Sequence, residues 1–291
     1  MLSPTDKSTL QTVRSVSWWT EALFCLTITR PSAYHFIPGQ FSRLGLPSPA
    51  FAPDAETGVV RRAPPPFDVL WRAYSITSAP DSDHLEYYGI LVPAGAFTSA
   101  VRDLQPGDPI LLEKSPNGFL TIDRFTGGDT LWMLATGTGL GPYVAQLRDA
   151  AVWQRFRTIV LVHGVRHARE FAYAAELQSL SARMAQQPGM AQLRVVQATT
   201  REPLGTAPPA VSGHPDSDAA AWPRLHGRIT TLLENGALEQ AAGIALQPES
   251  ARLMLCGNPA MIEETRRLLQ QRGFLPVRRA LAGHFLTENY W

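Results

Sequence analysis

The first part of the chain alternates apolar and polar residues in short runs separated by turn-forming residues. The runs are rich in β-branched and aromatic residues, and one short helical pattern interrupts them at residues 97–104. Strands at this spacing are typical of an antiparallel β-barrel or sandwich. The predicted strands are STLQTVRSVSWW, ALFCLTIT, GQFSRLGL, LWRAYSI, LEYYGILV and PILLEKS.

From Gly127–Gly128 onward, short apolar runs alternate with longer segments of helical periodicity. This succession predicts a parallel, doubly wound sheet. The pattern therefore predicts an antiparallel β-barrel or sandwich over residues 1–126, followed by an α/β parallel-sheet domain over residues 127–291. The predicted strands are LWMLA, TIVLVHG, LRVVQAT and ARLMLC, with a last extended run near PVRRAL, and the helices are PYVAQLRDAAVW, EFAYAAELQSLSARMAQ, TTLLENGALEQ and AMIEETRRLLQQ.

Two stretches, residues 47–69 and 203–223, fit neither pattern. Both are rich in Pro, Ala and small polar residues and poor in periodic apolar ones. Such composition predicts surface insertions without packed elements. A docking or regulatory role is the alternative to a tolerated loop.

Composition and charge exclude several classes of protein. The chain has 291 residues, of which 45% are hydrophobic, and a formal net charge of +1. This balance gives no reason to expect nucleic acid, and no apolar run approaches the ~20 residues of a membrane span. The first residues contain no apolar segment of the export type, so we expect a cytoplasmic protein.

The chain contains two cysteines, Cys25 and Cys256, which are far apart and lie in apolar contexts. They indicate reduced thiols rather than a disulfide. An iron–sulfur cluster takes about four cysteines, so the chain holds none of its own. His163 and His284 lack the spacing of metal ligands and are interpreted as structural, so no metal site is predicted.

The segment LATGTGLGPY places Gly137, Gly139, Gly141 and Pro142 between a predicted strand and helix. Glycines let a ligand approach the backbone, and a helix N-terminus offers N–H groups and a positive dipole end. Proline suits the first helical position. The loop therefore predicts a nucleotide site that includes Thr138, with a tight turn that holds no ligand as the alternative.

Three arginines follow the next predicted strands or begin a helix: Arg166, Arg201 and Arg228. Arginines at this edge bind the 2′-phosphate of NADP, where NAD sites commonly have an acidic residue. With Val165 and Thr200, they predict an NADP pocket. Solvated surface charge is the alternative for each arginine taken alone.

Five ordered motifs then resemble those of bacterial ferredoxin/flavodoxin–NADP reductases. They are RAYS (72–75), GAFTS (95–99), GTGLGP (137–142), LCGNPAM (255–261) and the terminal ENYW (288–291). The resemblance covers the chain apart from the two insertions. It implies an FAD-binding barrel, an NADP-binding α/β domain, and a C-terminal tail that returns to the FAD.

The resemblance also implies flavin contacts. Arg72 would pair with the FAD pyrophosphate, Tyr74 would pack against the flavin, and Ser75 would lie beside flavin N5 as a catalytic residue. GAFTS departs slightly from the family pattern, but it keeps a hydroxyl and backbone amides. The further flavin contacts are Ala73, Tyr87, Ala96, Phe97, Thr98, Thr138, Tyr290 and Trp291.

By the same resemblance, Cys256 is a catalytic residue near the nicotinamide C4, and Gly257, Asn258 and Pro259 shape the pocket wall. Glu288 is a candidate for proton relay or partner contact. The alternatives are a buried structural cysteine and a solvated terminal glutamate. Trp291 would cover the FAD adenine, and Tyr290 would lie nearer the isoalloxazine.

The expected activity is FAD-dependent electron exchange between NADPH and a separate one-electron carrier, ferredoxin or flavodoxin. Such carriers are typically acidic, so a basic surface would steer them. The alternatives are an NAD(P)H-flavin reductase or oxygenase reductase component, and a non-catalytic redox-sensing module. The oligomeric state stays open, with a monomer as the default. The candidate basic residues are Arg43, Lys114, Arg124, Arg278 and Arg279.

Overall fold

The chain divides into two compact units. The first comprises residues 1–36 and 40–117, and the second comprises residues 37–39 and 118–291. The second unit thus begins ahead of the boundary predicted near Gly127–Gly128. The computed structural model describes residues 2–47, 51–53, 60–62, 69–202, 222–278 and 281–289.

The first unit is built on a six-stranded antiparallel sheet with the order β6-β3-β8-β1-β2-β7. Ile76, which directly follows β6, bridges Tyr87 of β7, so the two edges meet and close the sheet into a barrel. The predicted antiparallel barrel is confirmed. Its strands are β1 (Ser8–Trp18), β2 (Leu23–Thr29), β3 (Phe41–Pro47), β6 (Val69–Ser75), β7 (His84–Ile90) and β8 (Pro109–Glu113), and helix α1 (Ala96–Arg102) follows β7.

The barrel interior is filled by one face of each strand, as period-two alternation dictates. Leu26 and Ile28 of β2 and Leu44 and Leu46 of β3 are almost completely buried in this core. Burial of each such side chain contributes roughly 1.5–3 kcal/mol. The core therefore fixes the register of β6, the strand that contains RAYS.

The insertion at residues 47–69 contains two short strands where the sequence predicted none. These are β4 (Phe51–Pro53) and β5 (Val60–Arg62), which pair antiparallel. The prediction missed them because three residues are too few to show a period. The rest of this insertion, and residues 203–221 of the second, lie outside the described residues.

The second unit is a parallel six-stranded sheet with the order β12-β11-β10-β9-β13-β14. This confirms the predicted α/β fold. Its strands are β9 (Thr130–Thr136), β10 (Thr158–Val165), β11 (Gln192–Thr199), β12 (Arg224–His226), β13 (Ala251–Gly257) and β14 (Phe285–Asn289). Its helices are α2 (Gly141–Arg148), α3 (Ala150–Arg155), α4 (Ala174–Ala185), α5 (Ile229–Glu234), α6 (Ala237–Ala242) and α7 (Pro259–Gln271).

Two predicted helices are each split in two. Asp149 separates α2 from α3 and caps α3 by accepting a hydrogen bond from Ala151 N at 3.1 Å. Gly236, with φ of 79°, separates α5 from α6. Both breaks follow from local backbone chemistry, because a side-chain cap and a left-handed glycine each end a helix.

The last extended run was predicted in the wrong place. The PVRRAL segment forms isolated bridges at Pro276 and Arg278, and the sixth strand is β14. Phe285 and Leu286 of β14 are buried, whereas the strand ends in polar residues, which concealed its period. In the part of the chain that the structure describes, no helix is both long and apolar enough to cross a membrane.

Candidate functional site

The carboxyl ends of the parallel strands in the second unit form the edge where the predicted nucleotide residues lie. From β9 the chain proceeds through β10 and β11 to β12 on one side, and β13 and β14 lie on the other side of β9. The strand order therefore reverses between β9 and β13. In open α/β sheets, ligands bind in the crevice at this switch point.

The loops that follow β9 and β13 are packed directly on each other. A Cβ atom at Gly139 would collide with the backbone carbonyl of Cys256, and one at Gly257, whose φ is +127°, would collide with Thr136. Asn258 N also donates a hydrogen bond of 2.8 Å to Thr136 Oγ1. These glycines are required because the two backbones approach each other closely, and Thr136 was missed by the sequence analysis.

The glycine loop has one side that the described residues leave uncovered. Gly137 has a φ of +54°, and a Cβ atom built there would have no heavy atom of the described residues within 4 Å. A 3₁₀ turn over Gly137–Leu140 runs directly into α2, and no described side chain caps the start of this turn, whereas the Asn258 side chain caps α7 by accepting from Ala260 N and Met261 N. The backbone N–H groups at the start of the Gly137–Leu140 turn are therefore better suited to an anionic group than those of α7.

His163 of β10 contacts this loop through a hydrogen bond to its backbone. Its Nε2 lies 3.0 Å from the carbonyl oxygen of Gly137, and its ring meets Phe171 edge-on at 5.5 Å. Burial lowers the pKa of His163 to about 4, so the ring is neutral near pH 7. A carbonyl only accepts, so Nε2 carries the proton and donates it.

The other histidine singled out in the sequence is engaged with its own unit. His284 Nδ1 accepts a hydrogen bond of 2.9 Å from Leu275 N, and its ring contacts Phe274 edge-on. Among the described residues, His, Cys, Asp and Glu side chains form no group of three that could hold a metal ion.

Cys256 and Glu288 are neighbours across the sheet. In the parallel registers, Cys256 pairs with Ala135 of β9 on one side and with Glu288 of β14 on the other. Cys256 is completely buried, and Glu288 is half-buried. Burial raises the pKa of Tyr143, and Cys256 and Glu288 raise it further. The two predicted catalytic groups of this unit thus occupy one level of the sheet, close to the Tyr143 hydroxyl.

The three predicted arginines follow three neighbouring strands. Arg201 N donates to the carbonyl of Arg166 at 3.0 Å, which extends the β10–β11 pairing beyond the strands. Arg228 follows β12 and directly precedes α5. All three side chains are exposed, and within the described ranges none has an ion-pair partner. The edge therefore offers three guanidinium groups to an anion.

In the barrel, β6 presents the RAYS residues in different environments. Arg72 is exposed, Tyr74 is half-buried with its ring 5.6 Å from that of Phe97, and Ser75 is 3% exposed. Burial also raises the pKa of the Tyr74 hydroxyl. The exposed guanidinium and the partly covered aromatic ring are groups that fit a pyrophosphate and a flavin ring.

Two further residues expected at the flavin are engaged inside the barrel. Tyr87 is completely buried in the core, and its hydroxyl lies 2.7 Å from Ser42 Oγ. Thr98 Oγ1 accepts from Val92 N at 3.1 Å and lies 3.2 Å from the carbonyl of Gly95. Tyr87 does not fit a direct flavin contact, and the Thr98 side chain holds its own turn. Tyr290, Trp291 and Arg279 lie outside the described residues.

Comparison with known proteins agrees with this arrangement. The oxidoreductase NAD-binding domain family matches residues 133–267. The flavodoxin/ferredoxin–NADP reductase of Shigella flexneri is 35% identical over 96% of this chain and 97% of its own length. Ferredoxin–NADP reductase A of Sorangium cellulosum is 35% identical over 97% of this chain and 89% of its own.

A solved structure is similar over the same extent. The ferredoxin NADP+ reductase of Neisseria gonorrhoeae, which was crystallised with FAD and NADP, is 33% identical and gives a TM-score of 0.79 over 98% of this chain and 99% of that one. Relatives at this identity match almost the whole chain, and the barrel, the parallel sheet and the two packed loops are all present. The chain therefore belongs to the flavodoxin/ferredoxin–NADP reductase family.

Proposed function

We propose that this protein is an FAD-dependent reductase that exchanges electrons between NADPH and a ferredoxin or flavodoxin. The observation that carries the proposal is the packing of the Gly137–Gly141 loop on the Cys256–Gly257 turn at the switch point of the sheet. It occurs in a chain whose relatives from Shigella flexneri and Sorangium cellulosum are reductases of this kind. The arginines and the barrel residues extend the proposal to each cofactor.

The dinucleotide would bind across the two packed loops. Gly137 leaves space for the pyrophosphate to approach the backbone, and the N–H groups of the uncapped Gly137–Leu140 turn would point toward its negative charge. Gly257, Asn258 and Pro259 form the opposite wall, which the Thr136 hydrogen bond to Asn258 holds in place. Positioning of this kind brings the reacting carbon of the nicotinamide to one location.

Selectivity for NADPH would come from Arg166, Arg201 and Arg228, with Val165 and Thr200 between them. A guanidinium binds a phosphate through two parallel hydrogen bonds, and NADH lacks the 2′-phosphate that these arginines would bind. The three side chains are exposed, so they can turn toward a bound 2′-phosphate without breaking an ion pair within the described residues.

The barrel would hold FAD through β6 and the turn before α1. Arg72 would bind the pyrophosphate, Tyr74 would pack against the flavin ring, and Ser75, the last residue of β6, would supply a hydroxyl group beside it. Bound FAD supplies an acceptor for a hydride and a donor of single electrons. The protein positions the reactants and excludes water.

Cys256 and Glu288 would act at the nicotinamide side of the reaction. The buried Cys256 shapes the surface against which the nicotinamide lies, and its neighbour Glu288 is half-buried, so its carboxylate can exchange protons with solvent. Their pairing across β13 and β14 fixes the distance between them.

The carrier would be an acidic ferredoxin or flavodoxin. Arg43, Lys114 and Arg278 are exposed and could attract it. We also place the reaction in the cytoplasm, which the two cysteines, neither of them in a disulfide, support.

An anaerobic stopped-flow measurement tests the proposal. The purified yellow protein is mixed with equal concentrations of NADPH or NADH, and the flavin absorbance is followed. Much faster bleaching by NADPH is the expected result. Equal rates would instead favour a general flavin reductase, and a protein that neither contains nor takes up FAD would contradict the proposal.

A further inference from the structure

Glu202 lies among the three arginines, although a carboxylate is unfavourable beside a phosphate. It directly follows Arg201, and its side chain is 19% exposed. On electrostatic grounds alone, a negative charge here would weaken binding of a dianionic group. Its contacts explain why it is present.

The Glu202 carboxylate is used to join two loops. One oxygen accepts a hydrogen bond from Ala168 N at 2.8 Å, and the other lies 3.1 Å from His167 Nδ1. Both partners belong to the loop that follows β10 and begins with Arg166. Glu202 therefore connects the loop of Arg201 to the loop of Arg166 through its side chain.

The backbone of Glu202 joins the third loop. Its carbonyl oxygen lies 2.7 Å from His226 Nδ1 and accepts from Thr199 Oγ1 at 3.1 Å. His226 ends β12, two residues before Arg228, and Gly227 N donates to the carbonyl of Thr199. One residue thus contacts all three arginine-bearing segments.

We infer that Glu202 is a positioning residue for NADPH selectivity: it fixes the Arg166, Arg201 and Arg228 segments in the arrangement that binds the 2′-phosphate. Its carboxylate is directed to Ala168 N and His167, so its charge is partly balanced by these donors. This inference rests on the arginine pocket of the proposed function.

The test measures binding rather than turnover. The FAD-loaded protein is titrated calorimetrically with adenosine 2′,5′-bisphosphate, which carries the 2′-phosphate, and with 5′-AMP, which lacks it. Glu202→Ala should weaken binding of the bisphosphate about tenfold, the equivalent of one hydrogen bond to a charged group, and change binding of 5′-AMP less than about twofold. Glu202→Gln keeps an acceptor for Ala168 N and should recover most of the affinity.

The sign of the effect separates positioning from charge. Removal of a negative charge beside a phosphate would by itself strengthen binding, so weaker binding indicates lost geometry. Glu170→Ala is the matched variant, because the Glu170 carboxylate accepts from Arg166 N within the same loop and, among the described residues, joins no second segment. We expect it to weaken binding less than about threefold.

Arg201→Ala shows whether a failed prediction concerns the role of Glu202 or the arginine pocket itself. If Arg201→Ala loses the preference for the bisphosphate but Glu202→Ala behaves as the parent, the role of Glu202 is refuted and the pocket stands. If neither variant changes the preference, both are wrong. Equal losses in Glu170→Ala and Glu202→Ala would also refute the inter-loop role.

Discussion

His163 Nε2 donates a hydrogen bond of 3.0 Å to the carbonyl oxygen of Gly137, across 26 residues of sequence. The acceptor is the first residue of the glycine loop, and the donor lies in the middle of the parallel sheet, 4% exposed. Nε2 can donate this bond from the neutral or the protonated ring, but burial disfavours the charged form and lowers the pKa of His163. The stability of the fold around the loop is therefore coupled to the protonation of one buried side chain.

This coupling predicts a loss of stability in mild acid. The folded-state pKa of His163 is about 4, below the ordinary 6.5, so the unfolded chain takes up a proton between these values and the folded protein does not. The stabilisation is complete above pH 6.5 and is lost as the pH falls toward 4. Urea unfolding should show about 2 kcal/mol less stability near pH 5 than near pH 7.5 from this group.

His163→Gln is the control, because its amide can donate to Gly137 and does not titrate in this range. In this variant the acid-dependent loss should shrink by the same amount. An unchanged pH profile would show that His163 is not the group responsible.

Gly139→Ala should mainly lower the stability of the protein, whereas Gly137→Ala should mainly weaken its use of NADPH. The methyl group at Gly139 would meet the Cys256 carbonyl, so this variant should lose about 3 kcal/mol of unfolding free energy. The methyl group at Gly137 meets open space, so the cost is limited to the left-handed backbone, about 1–2 kcal/mol. The methyl group at position 137 would occupy the proposed ligand surface, however, and Gly137→Ala should therefore raise the KM for NADPH about tenfold.

Thermal unfolding and steady-state kinetics on both variants check this pair. Unchanged NADPH kinetics in a stable Gly137→Ala protein would contradict the proposal that the dinucleotide binds on the open side of the loop.

Ser75→Val should slow flavin reduction by NADPH while FAD stays bound. Valine replaces the hydroxyl group with a methyl group and adds a second methyl group at a buried position, so Ser75→Ala is made beside it. A loss of rate in both variants would reflect the hydroxyl group rather than packing. Ser42→Ala is a suitable comparison, since it also removes a buried hydroxyl from the barrel, and its partner is Tyr87 in the core. It should lower stability by about 1 kcal/mol and leave the rate of flavin reduction unchanged. Stopped-flow rates equal to those of the parent in Ser75→Val would exclude the assigned role.

The sequence predicted what depends on local pattern. Strand alternation identified the antiparallel sheet of the first unit. Arg166 and Arg201 after predicted strands, and Arg228 before a predicted helix, were assigned to one edge of the parallel sheet. It missed β12, which has three residues, and β14, whose Thr287 to Asn289 end is polar. It also missed Thr136 and Glu202. Thr136 lies 122 residues from its partner Asn258, and Glu202 lies 34 residues from its partner Ala168, and no local period reveals such contacts.

Substitution of Arg252, which lies away from the candidate site, should have a large effect on stability. Its guanidinium is 8% exposed and donates to the carbonyl oxygens of Thr126, Pro248 and Ala251 at 2.7–3.1 Å. Burial lowers its pKa, and the charge of Arg155 lowers it further. Arg252→Met leaves three carbonyl acceptors without this donor, of which that of Ala251 is buried, and should cost about 2 kcal/mol of unfolding free energy.

Arg252→Lys should recover little of this loss, since one ammonium group cannot replace the planar fork that reaches carbonyls in different directions. Arg266→Met is the matched control: the side chain of this arginine is 40% exposed and pairs with the exposed Glu263 three residues before it, so its loss should cost less than about 0.5 kcal/mol. Urea unfolding of the three variants separates the two cases. Similar midpoints for Arg252→Met and Arg266→Met would mean that the segment from Thr126 to Gly128 is held without Arg252.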